Sequence, residues 1–193
     1  MIGTTSDNLV IAQVLGASAV AGYAVTQKLF LTTLITQYFL VPLWPAFGEA
    51  MARNDRAWAR RTLNRSLTSS LGLGVLIGLP LLFFGKQIIS VWAGPNVVPS
   101  SLLLLGFTIW ALVNCYMGSM TTFLNSGDLV GKQVPFFGLA ALSALALKIV
   151  GARYFNTEGV VWAAAICFGL FYIIPATKMA YGVLKVQTSS SVL

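Results

Sequence analysis

The stretch EAMARNDRAWARRTLNR, residues 49–65, decides how this chain of 193 residues is organised. It holds five of the twelve basic residues, namely Arg53, Arg56, Arg60, Arg61 and Arg65. Residues 29–47 before it and residues 66–85 after it carry no charged side chain. Because a helix rises about 1.5 Å per residue and a hydrocarbon core is about 30 Å thick, each apolar run is long enough to cross a membrane. The arginines are therefore predicted to lie at a membrane edge.

The composition predicts an integral membrane protein. Hydrophobic residues make up 57% of the chain and charged residues only 9%, whereas soluble domains carry about 25% charged residues. The net charge of +7 comes from basic residues that lie between apolar runs, a distribution that the positive-inside rule explains. A nucleic-acid partner is therefore not expected, and membrane lipids are the expected surroundings.

The residues that support most enzyme and metal chemistry are sparse in this chain. It contains no histidine, and Cys115 and Cys167 lie in separate apolar runs without metal-ligand spacing, so we expect neither a metal, a disulfide nor a cofactor. The acidic residues are scattered rather than paired: Asp7, Glu49, Asp55, Asp128 and Glu158. The sequence therefore favours a protein that is not an enzyme.

The apolar runs predict an all-α membrane domain over residues 1–193 with about six spans, at residues 1–15, 19–47, 66–84, 101–124, 133–150 and 160–176. The first run is too short to cross and is interpreted as the second half of a truncated helix. Pro42 and Pro45 should bend or close the second span. A short interfacial helix is plausible within the arginine-rich segment, and Gly72, Gly74 and Gly78 should allow close helix approach.

The distribution of basic residues predicts the orientation. If the segment 53–65 is cytoplasmic, then Lys132 and the tail with Lys178 and Lys185 lie on the same side. Lys86, Lys148 and Arg153 are then left at the outer side, where the turns at Gly16 and Gly94 are also placed. We expect a multi-pass protein with a cytoplasmic C-terminus.

Asp7 and Lys28 are the candidate substrate-cavity residues. Each lies about 14 Å from the predicted Gly16 turn, which is near the bilayer midplane, where a charge needs a cavity or a partner. Asp7 suits a role in ion coupling or in a cavity, unless the start of the chain is solvated. Lys28 suits an Asp/Lys pair within a polar pathway, or it extends to the outer interface. The five arginines are assigned to topology and to contacts with anionic head groups.

Three stretches resemble a known family: DNLVIAQVLGASAVAGYAVTQKLF at 7–30, PLWPAFGEAMARNDRAWARR at 42–61 and TTFLNSGDLVGKQ at 121–133. They are similar to the second half of bacterial O-antigen and capsular polysaccharide flippases, of the multidrug/oligosaccharidyl-lipid/polysaccharide exporter superfamily. The resemblance implies one lobe of a two-lobed transporter in the bacterial inner membrane, with an N-terminal lobe missing. It also implies a lipid-linked oligosaccharide as substrate, moved by alternating access, with Lys28 as the first cavity residue and Asp7 as the second.

Two alternatives remain open at this point. A multidrug exporter of the same superfamily would favour an acidic cavity for organic cations, whereas the candidate pair here includes a lysine. A chain of this length can also be a membrane scaffold that transports nothing.

Overall fold

The computed structural model of this chain describes residues 2–126 and 129–185. Its regular elements are all helical within those ranges, which confirms the all-α class. The elements are α1 (Ile2–Leu15), α2 (Ala17–Phe30), a 3₁₀ turn (Leu31–Leu34), α3 (Ile35–Leu40), α4 (Leu43–Ala52), α5 (Arg56–Ala93), a 3₁₀ turn (Pro95–Val97), α6 (Ser101–Ser126), α7 (Val130–Phe168), a π turn (Gly169–Ile173) and α8 (Ile174–Lys185).

Four of the described helical stretches are long and apolar enough to cross a membrane. They are Ala17–Ala52, Arg56–Ala93, Ser101–Ser126 and Val130–Lys185. The polar tail after Lys185 and the Gly127–Asp128 pair, which the sequence assigns to the cytoplasmic side, lie outside the described residues.

The stretch Ala17–Ala52 is interrupted twice. Thr32 and Thr33 donate their hydroxyls to the carbonyls of Leu29 and Phe30, at 2.8 and 2.7 Å, where the chain tightens into the 3₁₀ turn. Such local bonds compete with regular helical bonding. A second break separates α3 from α4 at residues 41–42, where Pro42 offers no backbone N–H. The expected break is thus present at Pro42, whereas Pro45 lies within the first turn of α4, and the threonines add a break that the apolar pattern did not predict.

The arginine-rich segment does not form a separate interfacial helix. The chain turns at residues 53–55, where Asn54 has a positive φ of 61°, and Asp55 caps α5 by accepting a bond from the Trp58 amide at 2.9 Å. From Arg56 onward the helix continues for 38 residues, which is about 57 Å. The arginines after residue 55 therefore occupy the first turns of a helix that can itself cross the membrane.

The long element α7 reverses direction at Phe155 and Asn156, whose backbone angles are not helical. A methyl group built on Gly151 would lie 2.7 Å from the carbonyl oxygen of Gly159, although residues eight apart on a straight helix are about 12 Å apart. The two parts of α7 therefore form a hairpin, and only glycine permits its close backbone contact. The break coincides with the polar turn expected at residues 156–159.

Small residues bring α5 against α6. A methyl group on Gly74 would lie 2.8 Å from Cys115 Sγ, and one on Gly78 would lie 3.3 Å from a Thr108 methyl. A methyl group built on Gly72 would face open space, with no described atom within 4 Å apart from those of its chain neighbours and its own helix backbone. Of the three glycines expected to allow close approach, Gly74 and Gly78 do so, because a helix presents only one side to its neighbour.

The packing defines two ends of the bundle. At one end the Ser100 hydroxyl donates to Glu158 at 2.5 Å, and one cavity is lined by residues from the turns near 16, 96 and 157. At the other end Arg56 donates to the carbonyl of Val183 at 3.0 Å. This second contact places the end of α8 beside the arginine-rich segment, so the two basic regions share a side.

Candidate functional site

A buried ion pair lies inside the bundle, between α1 and α7. Lys148 Nζ is 2.5 Å from Asp7 Oδ1, and the two side chains are 7% and 9% exposed. The Tyr23 hydroxyl, on α2, donates to Asp7 Oδ2 at 3.0 Å. Both carboxylate oxygens therefore have a partner, which meets the requirement for placing a charge within an apolar bundle.

Helical periodicity places each of these groups. On α1 the buried residues are Asp7, Val10 and Ile11, the spacing of one helix face. On the first half of α7 the residues at 140, 144, 148 and 152 are buried, and apart from Lys148 all are alanine. The small neighbours allow α1 to approach the lysine closely.

The ion pair lines a cavity of about 340 Å³ between α1, α2, α6 and α7. Its walls are mostly apolar and aromatic, and include Phe30, Phe107 and Trp110. The amide side chains of Gln27 and Asn114 supply neutral polar groups. A mainly apolar cavity with a few convergent polar groups is the usual form of a small-molecule site.

A second cavity, of about 510 Å³, continues along α6. It shares Leu34, Asn114 and Met117 with the first cavity and reaches Trp44 and Asn125. Because α4 leads into the arginine-rich turn and Asn125 lies at the end of α6, the two cavities together run from the ion pair toward the basic end. We call these two adjoining cavities the α6 groove.

Lys28 does not pair with Asp7, although both were predicted to lie at the same depth. Lys28 is exposed, whereas Tyr23, Thr26 and Phe30 form the buried face of α2. Lys28 follows Tyr23 by five residues, so the two side chains point about 140° apart around the axis of α2. The side chain is consequently turned away from the first helix, and the ion pair forms with Lys148 instead.

Lys148 was assigned from the sequence to the outer side, near the exit of the fifth span. The structure places it inside the bundle, 6% exposed. The sequence does contain a signal that Lys148 is buried, because it lies at the same four-residue spacing as the alanines before and after it. The sequence alone could not show that this face of α7 meets the first helix, 141 residues earlier.

The arginines lie away from the ion pair, at the basic end. Arg53, Arg60, Arg61 and Arg65 are exposed. Arg56 is half-buried and contacts the end of α8 through Val183. Their positions suit contacts with solvent or head groups, and none of the five lines either cavity of the α6 groove.

A second polar cluster lies near the basic end. Tyr172 is 1% exposed, and its hydroxyl donates to Gln133 Oε1 at 2.9 Å and lies 2.8 Å from Thr121 Oγ1. Gln133 in turn donates to Asn125 Oδ1 at 2.5 Å. Tyr172 belongs to the π turn that precedes Pro175, and proline removes a backbone donor there. The cluster thus joins the end of α6 to both parts of the last hairpin.

We compared the chain with family models, with curated proteins and with solved structures, and none of them matches. The function is therefore argued from the geometry and from the residues themselves.

Proposed function

We propose that this chain is one lobe of a membrane transporter for lipid-linked oligosaccharides, used in polysaccharide or lipopolysaccharide synthesis. The observation that carries the proposal is the Asp7–Lys148 ion pair, buried within apolar helices and lining a cavity. Ionisable residues inside a membrane are rare, and they mark substrate pathways, ion pathways and proton relays. The resemblance of residues 7–30, 42–61 and 121–133 to flippases supplies the substrate class.

The charge of the cavity supports a flippase over an exporter of organic cations. Among the described residues that line the α6 groove, Asp7 is the one acidic residue, and Lys148 neutralises it. The walls therefore carry no net negative charge that would attract a cation. Aromatic and amide side chains suit an amphiphile with a polar, sugar-bearing head group.

In the proposed architecture, six spans form the second lobe of a two-lobed bundle, and the hairpin within α7 separates the fifth span from the sixth. Leu34, Val41 and Trp44 line the α6 groove and are 42%, 64% and 55% exposed. We propose that a first lobe covers this side and completes a central cavity for alternating access. The bundle lies in the bacterial inner membrane with its basic end and C-terminus in the cytoplasm, where the arginines contact anionic lipids.

Ligand binding by the purified chain in lipid nanodiscs tests the function. We expect saturable binding of a fluorescent lipid-linked disaccharide diphosphate, measured by anisotropy, with no binding of a zwitterionic phospholipid that carries the same dye. Ethidium serves as the organic-cation probe. Preferential binding of ethidium would favour the multidrug exporter, and binding of neither probe would favour the scaffold.

The orientation is tested by cysteine labelling in intact cells. In a variant without Cys115 and Cys167, both of which are buried, single cysteines replace Asn54, Asn96 or Phe155, which are exposed. An impermeant maleimide should label positions 96 and 155 from outside and position 54 only after lysis. Labelling of position 54 in intact cells would contradict the proposed sidedness.

A further inference from the structure

Lys28 is a charged residue that the bundle leaves uncovered. Because α2 begins at Ala17, beside the outer turn, Lys28 lies about 16 Å along the helix from that turn. This depth is near the middle of a hydrocarbon core of about 30 Å. The Lys28 side chain is exposed and lines neither cavity of the α6 groove. A charge at this depth needs a counterion or water.

The described part of the chain supplies no carboxylate for Lys28. Asp7 is paired with Lys148. The other described acidic residues lie at the two ends of the bundle, namely Glu158 at the outer end and Glu49 and Asp55 at the basic end. A counterion for Lys28 would therefore have to come from outside the described helices.

Small residues share the face of α2 that carries Lys28. Ala17, Ala21 and Ala24 precede it at helical spacing and lie within about 40° of it around the helix axis. Ala17 and Ala21 are exposed, and Ala24 is half-buried. The buried face of α2 is on the opposite side. We call these three alanines and Lys28 the α2 stripe, a surface that a second helix could approach closely.

The same pattern of a lysine among alanines has a partner elsewhere in the chain. Lys148 lies among buried alanines on α7, and α7 packs against α1. This close packing brings the short side chain of Asp7 to the Lys148 ammonium group. The α2 stripe has a lysine and alanines at a similar depth, but its residues are mostly exposed. The buried example shows what kind of helix the exposed stripe fits.

We propose that the α2 stripe is the docking face for a transmembrane helix that carries an aspartate or glutamate at the depth of Lys28. The alanines let the two helix backbones approach, and the carboxylate accepts a hydrogen bond from the Lys28 ammonium group. A second copy of this chain does not fit, because its described carboxylates lie at the bundle ends or in the buried ion pair. The inference rests on the proposed function, which places a first lobe beside the groove, and it specifies the charge that this lobe presents to α2.

A synthetic transmembrane peptide serves as the partner helix in the test. It is a lysine-flanked helix of alternating leucine and alanine with an aspartate at its centre, and a second peptide has leucine in place of the aspartate. Association with the full chain in vesicles of zwitterionic phospholipid is measured by energy transfer between dyes on the chain and on the peptide. The central aspartate should strengthen association by about fivefold to thirtyfold, the effect of a polar contact between helices in a membrane.

Variants separate the charge from the close approach. Lys28→Leu should remove the preference for the aspartate peptide, and Lys28→Arg should keep it because the charge remains. Lys86→Leu is the matched control, since Lys86 is exposed on α5, and should leave the preference unchanged. Ala21→Phe should weaken association of both peptides, whereas Ala146→Phe, at an exposed position of α7, should not.

Three results would overturn the inference. The first is an equal preference for the aspartate peptide in Lys28→Leu and in the wild-type chain. The second is no preference in the wild-type chain, which would mean that Lys28 extends to the outer interface or lies in water. The third is association between copies of the chain that Lys28→Leu abolishes, which would make a second copy the occupant. The assay contains no oligosaccharide, so failure of the wild-type chain to bind the disaccharide probe would count against the proposed function and not against peptide docking.

Discussion

Removing Lys148 alone should destabilise the chain more than removing both members of the ion pair. In Lys148→Met the Asp7 carboxylate remains among apolar helices, and the Tyr23 hydroxyl is the hydrogen-bond donor that it retains among the described side chains. Breaking a buried pair in this way costs about 3–5 kcal/mol. In Asp7→Asn/Lys148→Met no charge is buried, and Tyr23 still has an amide oxygen as acceptor. The double variant should therefore recover about 2 kcal/mol or more of that loss.

The chain itself offers a matched control at its surface. Arg53 lies 3.5 Å from Glu49, and these side chains are 78% and 71% exposed. Exposed helix pairs of this kind contribute about 0.3–0.5 kcal/mol. The cycle of Glu49→Gln and Arg53→Met should accordingly give a coupling energy several times smaller than the buried cycle.

Unfolding in mixed micelles measures both cycles. The free energy of unfolding is obtained from a titration with sodium dodecyl sulfate followed by tryptophan fluorescence, since the chain contains five tryptophans. If the effects of the Asp7 and Lys148 substitutions add within about 0.5 kcal/mol, the two side chains do not interact and the reasoning is refuted. A coupling as small as that of the surface pair would refute it equally.

Two further predictions concern packing and the second polar cluster. Gly74→Leu should destabilise the chain by about 1–3 kcal/mol because the new side chain meets Cys115. Gly72→Leu is the control and should have little effect, since its side chain faces open space. Equal losses of unfolding free energy in the same titration would contradict the packing of α5 on α6. Tyr172→Phe should cost about 1–3 kcal/mol, because Gln133 and Thr121 lose their buried partner. Tyr38→Phe is its control, since Tyr38 is 76% exposed; a loss in both variants would show that the hydroxyl of Tyr172 is not responsible.

Local sequence was sufficient to predict most helices. The fourth run, predicted at 101–124, corresponds to Ser101–Ser126, because a continuous apolar run of this length satisfies its own backbone hydrogen bonds in a membrane as a helix. Chain reversals near Gly16 and Asn156 were visible as polar or glycine turns. The start of α5 was predicted less well, since the arginines at 56–65 continue the helix beyond the apolar run.

Of the two residues in the buried ion pair, only Asp7 could be predicted from the sequence. Asp7 stands out in the sequence because it is an isolated charge beside an apolar run. Its partner does not, because Lys148 and Lys28 both lie at the edges of apolar runs and differ only in the helix face that they occupy. Periodicity identifies Lys148 among alanines once the packing of α7 against α1 is known.

The sequence by itself therefore determined the helical class, the apolar lengths and the grouping of basic residues, since each depends on neighbours along the chain. Only the tertiary structure decided which lysine meets Asp7, which glycines touch another helix and where the α6 groove runs. The physical reason is rotational: a helix turns about 100° per residue, so a side chain's partner depends on how distant helices pack. For Asp7 that partner is Lys148, 141 residues along the chain.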